Sequence, residues 1–136
     1  MKGLTIDSSV IICSLLENES RHKEAIEIWG RVISGKDYAV MPYSVLVEVV
    51  AAIRRRTGSE ELALEVKKAL LDTDSVSFIV IDELAAEDAA NLAAKTALRG
   101  MDALVIQVAR EYDTQLVSFD REMMAKASLL QATVLE

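Results

Sequence analysis

Short β-type runs alternate with longer helical runs along the chain. The first run, Leu4-Thr5-Ile6, ends at Asp7-Ser8-Ser9, and an apolar helical stretch follows as far as Leu16. Further strands are predicted over 38–41, 77–81 and 115–119, with a last edge strand over Ala132–Leu135. Helices are predicted over 20–34, 44–58, 59–71 and 82–98, then from Met101, with a brief one from Asp120. Strands separated by helices predict a parallel sheet that is covered on both faces, with right-handed crossovers.

Length and composition predict a single domain over residues 1–136. Hydrophobic residues make up 51% of the chain, with one Pro and five Gly, which excludes a disordered or collagen-like protein. The lone Cys13 lies in an apolar stretch and is predicted to be a buried thiol. Asp7 interrupts the first apolar run, so the N-terminus does not resemble a signal peptide, and no uncharged run approaches membrane-spanning length. A cytoplasmic protein is therefore expected.

The charge balance narrows the function classes. A net charge of −7 argues against a protein that wraps nucleic acid over a wide basic surface, because such binding neutralises many phosphates. It does not exclude a nuclease, since acids that hold cations stop acting as free negative charge.

Four acids that are far apart in sequence are predicted to meet at one edge of the sheet. Asp7 and Asp120 each follow a strand, Asp102 lies in the first turn of a helix, and Glu48 lies within two helical turns of the second strand. Ligands of open parallel sheets bind outside the carboxyl ends of the strands. Four neighbouring carboxylates repel each other unless a cation joins them, and Mg²⁺ prefers such oxygen ligands. The sequence thus predicts a divalent-metal site that is suited to phosphodiester cleavage.

Each acid also has a structural interpretation. Asp7 and Asp120 could be helix N-caps, and Asp102 could favour a helix dipole. Glu48 lies in an almost wholly apolar run, where an unpaired buried carboxylate costs several kcal/mol. Arg55, two helical turns further on, could compensate it instead of a metal.

Supporting residues are suggested by their neighbours in the chain. Ser9 and Ser118 could place hydroxyls near the metal edge, although capping and turn roles explain them equally well. Arg99 and Arg121 each stand near a focal acid and could meet a substrate phosphate. His22 stands alone, so no zinc site is indicated.

The four acids stand in sequence contexts that closely resemble the PIN-domain ribonucleases, in particular the small prokaryotic group that includes VapC-type toxins. The resemblance rests on Leu4–Ser9, on Glu48 in its apolar helix, on Arg99–Leu104 and on Leu116–Asp120, and it spans nearly the whole chain. Many members of the family carry Thr or Ser at the position of Ser118.

The resemblance implies a three-layer α/β/α sandwich with a central parallel sheet of four to five strands. It further implies a Mg²⁺- or Mn²⁺-dependent endoribonuclease with Asp7, Glu48, Asp102 and Asp120 as catalytic and metal-binding residues, commonly a homodimer with a cognate antitoxin. Two other functions stay open. One is a PIN-like module that binds RNA or protein without cutting, and the other is a phosphoacceptor domain using Asp7, which leaves Glu48 unexplained.

Overall fold

The computed structural model describes residues 1–130, which form four strands and seven helices. The strands are β1 (Gly3–Ile6), β2 (Tyr38–Pro42), β3 (Val76–Ile79) and β4 (Gln115–Val117). The helices are α1 (Ser8–Leu15), α2 (His22–Ile33), α3 (Tyr43–Thr57), α4 (Glu60–Asp72), α5 (Glu83–Thr96), α6 (Gly100–Glu111) and α7 (Arg121–Leu129). The edge strand predicted over Ala132–Leu135 lies outside the described residues.

All strand pairs are parallel, in the order β3-β2-β1-β4. The predicted three-layer α/β/α sandwich is confirmed, with helices on both faces of the sheet. Strands covered on both faces bury consecutive side chains rather than alternate ones. In β1, accordingly, Leu4, Thr5 and Ile6 are all buried. This order places β1 and β4 side by side, so Asp7 and the residues after β4 leave the sheet together.

Local sequence signals set most of the helix ends. Ser59 and Asp82 cap α4 and α5 by accepting hydrogen bonds from the backbone N–H groups of Leu62 and Ala85. Gly58 ends α3 in the left-handed region, at φ 71°, where glycine has no steric cost. Each of these ends falls within two residues of its predicted position.

The core contains Trp29 on α2 and the thiol of Cys13 on α1. The predicted burial of Cys13 is confirmed. Burial raises the pKa of the Cys13 thiol, which makes a reactive thiolate unfavourable. Within residues 1–130, no helix is both long enough and apolar enough to cross a membrane.

Two strand ends differ from their predicted positions. β3 covers Val76–Ile79 rather than 77–81, because the chain leaves the sheet before Val80 to reach the Asp82 cap. β4 stops at Val117 rather than at Phe119. The three residues after β4 are therefore free of the sheet ladder and turn towards Asp7.

Candidate active site

The carboxylate of Asp7 is held by side-chain hydroxyl groups rather than by the backbone N–H groups of a helix. It follows β1 directly, is only 5% exposed, and accepts hydrogen bonds on one carboxylate oxygen, Oδ2, from Ser9 (2.8 Å) and Ser118 (2.9 Å). Although it stands at the N-cap position of α1, its side chain accepts no capping hydrogen bond from the first turn of that helix, which the structure describes in full. The capping interpretation of Asp7 is therefore wrong. Hydrogen bonds from two serines set the orientation of its carboxylate.

Asp120 caps α7 and also lies at the same edge of the sheet as Asp7. One carboxylate oxygen accepts a hydrogen bond from the backbone N–H of Met123 (3.1 Å), which caps α7. The other lies 3.3 Å from Nη2 of Arg99. The hydroxyl of Ser118 also accepts a hydrogen bond from the backbone N–H of Asp120 (3.0 Å). A single serine thus connects the chain at Asp120 to the carboxylate of Asp7.

Asp102 lies in the first turn of α6 and faces inward, with its side chain 14% exposed. Its carboxylate lies 3.4 Å from Nε of Arg99, whose own side chain is 81% exposed. Burial raises the pKa of Asp102, and the negative charge of Asp7 raises it further, as Asp120 does to a smaller extent. The positive charge of Arg99 partly offsets these effects. The electrostatic surroundings of Asp102 therefore include the charges of Asp7, Asp120 and Arg99 as well as the dipole of α6.

Glu48 lies in the second turn of α3 and is partly buried. Burial raises the pKa of its carboxyl group, and the charges of Asp7 and Asp102 raise it further, while Ser8 and Arg99 act in the opposite direction. Within residues 1–130, no ion pair joins Glu48 to Arg55, which is exposed. The alternative in which Arg55 compensates Glu48 is therefore not observed.

These interactions bring the four acids into one electrostatic group, because the charges of Asp7 and Asp102 raise the pKa of Glu48 and the charges of Asp7 and Asp120 raise that of Asp102. Among the residues that the structure describes, however, no three Asp, Glu, His or Cys side chains are arranged to contact one metal ion together. Arg99 instead spans the gap between Asp102 and Asp120. The donor set is nevertheless chemically suited to a hard divalent cation, since it offers carboxylate oxygens whose mutual repulsion such a cation would relieve.

Ser9 and Arg121 occupy different surroundings. Ser9 supports the site directly, since its hydroxyl donates to Asp7 and accepts from the backbone N–H of Phe119 (3.2 Å). Arg121 is the exposed first residue of α7 and lines a cleft beside Asp120. The Nδ1 atom of His22 lies 2.8 Å from the carbonyl oxygen of Cys13.

Residues 4–129 match the family model described as PIN domain. The chain belongs to the PIN-domain family. Members of this family are nucleases, so the comparison supports a hydrolase that acts on nucleic acid. No curated protein sequence matches this PIN domain.

The solved structures that share the fold of this PIN domain include the following three. Mycobacterium tuberculosis VapC20, described as a toxin that cleaves the sarcin-ricin loop, is 20% identical, with a TM-score of 0.77 over 91% of this chain and 94% of that one. A toxin-antitoxin complex from Klebsiella pneumoniae is 18% identical (TM-score 0.62, 91% of each chain). Rickettsia felis VapBC2, bound to a promoter DNA fragment, is 12% identical (TM-score 0.67, 100% of this chain and 98% of that one). At these identities the likeness is one of fold.

Sequence reasoning missed two contributors to the edge of this PIN domain. Ser8 lowers the pKa of Glu48 through a side-chain hydrogen bond. The guanidinium of Arg21 lies 3.7 Å from the centroid of the Phe119 ring, in the cleft that Asp120 also lines. The sequence places Arg21 in the first turn of the helix predicted over 20–34, whereas in the structure it stands just before α2. An exposed arginine before a helix has no local signature that distinguishes it from a solvated charge.

Proposed function

We propose that this PIN domain is a divalent-metal-dependent endoribonuclease and the toxin of a toxin-antitoxin pair. One observation carries the proposal: Asp7, Glu48, Asp102 and Asp120 gather at the carboxyl edge of the sheet with charges that destabilise one another. Such an arrangement costs stability unless a cation relieves it. Its retention at an edge where parallel sheets bind ligands supports a metal-dependent active site.

In this mechanism Asp7, Glu48, Asp102 and Asp120 would hold Mg²⁺ or Mn²⁺. When bound, the ion would supply Lewis-acid activation of a water molecule and stabilisation of the charge on the leaving oxygen. Asp7 offers a carboxylate whose direction is fixed by Ser9 and Ser118, so little ordering is needed when the ion binds. Arg99, Arg121 and Arg21 carry positive charge near these acids. We assign Arg99 to the substrate phosphate, because it already lies beside Asp102 and Asp120.

The decisive test is cleavage of an end-labelled, structured RNA with Mg²⁺, with Mn²⁺ and with EDTA. We expect metal-dependent cutting by the unaltered protein and none by Asp102→Asn. Asp74→Asn is the matched control, because it removes the same charge from an exposed turn. Cutting that persists in EDTA, or in Asp102→Asn, would contradict the proposal.

A non-catalytic binding module is the alternative that this experiment separates. A folded protein, free of bound inhibitor, that retains RNA but does not cut it under any metal would support the module. Calorimetric titration with Mn²⁺ then adds a second readout, since a module of that kind has no need for divalent affinity.

An antitoxin partner belongs to the same proposal. A groove of about 380 Å³ lies between α1, α2 and α4, and its rim includes Leu15, Ile26 and Ile33, which are 41%, 48% and 58% exposed. An apolar groove between helices fits an amphipathic segment of a partner protein. Coexpression with the product of the adjacent gene should yield a complex that Ile26→Glu weakens while RNA cleavage by the isolated protein persists.

A homodimer and a cytoplasmic location complete the proposal. A second apolar groove, of about 510 Å³, lies between α3 and α4, and Val47 on its wall is 62% exposed. Light scattering should give the mass of a dimer, and Val47→Glu should shift it to that of a monomer. A monomeric mass for the unaltered protein at micromolar concentration would remove the dimer from the proposal.

A further inference from the structure

We infer that Arg21 forms a stacking platform for an RNA base beside Asp120, which rests on the RNA substrate proposed above. The platform consists of the Arg21 guanidinium, the ring of Phe119 beneath it and the carboxylate of Glu24 at its edge. It belongs to a cleft of about 280 Å³ that also includes Asp120 and Arg121.

The Arg21 guanidinium is fixed on two sides. Its central carbon lies 3.7 Å from the centroid of the Phe119 ring, which is a stacking distance. Its Nε and Nη2 donate to the two carboxylate oxygens of Glu24, each at 2.9 Å. This two-point contact holds the guanidinium plane as well as its charge. The Arg21 side chain remains 46% exposed and lines the cleft, so part of it is accessible to a ligand.

The backbone that carries Arg21 is anchored to the helices around it. Immediately after it, the His22 ring lies 2.8 Å from the carbonyl oxygen of Cys13, and two residues before it Glu19 pairs with Arg56 at 2.6 Å. A preorganised planar cation loses little conformational entropy when it stacks on a ligand. The loop before α2 therefore presents the platform in a defined position.

The position of the platform indicates which part of RNA it meets. Asp120 lines the same cleft as the platform and pairs with Arg99, in a protein whose net charge is −7. Bases of single-stranded RNA stack on arginine planes, and guanidinium groups bind phosphate. A base on Arg21 with its phosphate near Arg121 would place the adjoining phosphate at the acids. Arg21 is accordingly assigned to the nucleotide next to the scissile bond.

Binding of a labelled single-stranded RNA dodecamer tests this assignment. It is measured by fluorescence anisotropy with Mg²⁺, in an Asp102→Asn background that keeps the RNA intact. Arg21→Lys keeps the charge and removes the planar group, so we expect binding weakened roughly 5- to 150-fold, the range for loss of one stacked base. Arg110→Lys is the matched control, because Arg110 lies in the last turn of α6, at the opposite end of that helix from Asp102. It should bind like the parent.

An abasic dodecamer of the same length separates stacking from charge. It should bind the parent and Arg21→Lys equally, since neither can stack on it. Phe119→Leu removes the ring beneath the guanidinium and should repeat the effect of Arg21→Lys on the base-bearing RNA, which covers the case in which Arg21→Lys fails to fold.

Full affinity of a folded Arg21→Lys protein for the base-bearing RNA, or no binding by the parent, would overturn the platform. Failure of the nuclease proposal looks different. In that case the unaltered protein cuts no RNA under any metal, while Arg21→Lys still weakens binding.

Discussion

The hydroxyl of Ser118 donates a 2.9 Å hydrogen bond to the carboxylate of Asp7, from which it is 111 positions distant in the chain. Both side chains are more than nine-tenths buried. A hydrogen bond to a buried carboxylate is among the stronger ones in a protein and fixes the direction of the acid. This bond connects the ends of two neighbouring strands at the point where the chemistry is proposed.

Ser118→Ala should lower both stability and cleavage. It leaves Asp7 with one hydroxyl donor instead of two, and we expect a loss of about 1.5–3 kcal/mol in the free energy of unfolding. Because outer partners of metal ligands typically contribute 10- to 100-fold, RNA cleavage should fall by roughly that factor. Urea unfolding and single-turnover cleavage measure the two effects. Ser118→Thr keeps the hydroxyl and should retain most of both, and equal losses in the two variants would contradict this role.

Asp7→Asn should remove cleavage with little change in the fold. The amide occupies the same space and still accepts hydrogen bonds from the two serines, but it lacks the charge that a divalent cation requires. We expect a loss greater than about 100-fold, above the range for outer partners. Single-turnover kinetics with Mn²⁺ give the rate, and circular dichroism checks the fold. Normal cleavage by Asp7→Asn would exclude this residue from the metal site.

Glu48→Gln should stabilise the metal-free protein at neutral pH. The pKa of Glu48 is raised in the fold, so between its ordinary value of about 4.3 and the raised one the folded protein holds a proton that the unfolded chain has lost. Stability therefore falls as the pH rises through this window. The uncharged amide of the variant carries no such penalty.

Thermal unfolding in EDTA at pH 4 and pH 7 measures the effect of Glu48→Gln. The variant should melt a few degrees above the unaltered protein at pH 7. The difference should shrink at pH 4, where Glu48 is mostly protonated in the unfolded chain as well as in the folded protein. Adding Mn²⁺ at pH 7 should raise the melting temperature of the unaltered protein more than that of the variant. A variant that melts lower at pH 7 in EDTA would show that the charge of Glu48 stabilises the fold.

Arg99→Gln should increase the affinity for divalent metal in the absence of RNA. Arg99 occupies the space between Asp102 and Asp120, at 3.4 Å and 3.3 Å, and so competes with a cation for both carboxylates. Because Arg99 is largely exposed, its ion pairs are weak, and the gain should be only about two- to fivefold. Calorimetric titration with Mn²⁺ measures it, with Arg110→Gln as the control. Weaker metal binding by Arg99→Gln would contradict the competition.

Periodicity predicts the order of strands and helices but not which strands are neighbours. The spacing of hydrophobic residues indicates which side of a strand or helix is buried. The order β3-β2-β1-β4 depends instead on the crossovers between strands. The predicted β3 extends too far because Val80 and Ile81 are β-branched, yet Val80 is 72% exposed in the connection to α5. The predicted β4 extends too far because the turn after it is held by Ser118, a contact that no local pattern shows.

The acidic residues of the candidate site are easier to predict from the sequence than the side chains that surround them. Asp7, Asp102 and Asp120 stand at ends of elements, and Glu48 is conspicuous as an acid in an apolar helix. The detailed arrangement is not predictable, because it depends on side chains that compete for the same carboxylates, as Arg99 does. Arg21 escapes prediction for a related reason: its significance comes from Phe119, which lies far away in the chain.

The neighbouring positions of β1 and β4 also determine when the site can exist. Asp7 is synthesised early and Asp120 comes 113 residues later (120 − 7), a separation that takes about 6–23 s at translation rates of about 5–20 residues per second. During that interval the growing chain has Asp7 without the strand that carries Ser118 and Asp120. A nuclease built in this way has an incomplete site during its own synthesis, until β4 has emerged and paired with β1.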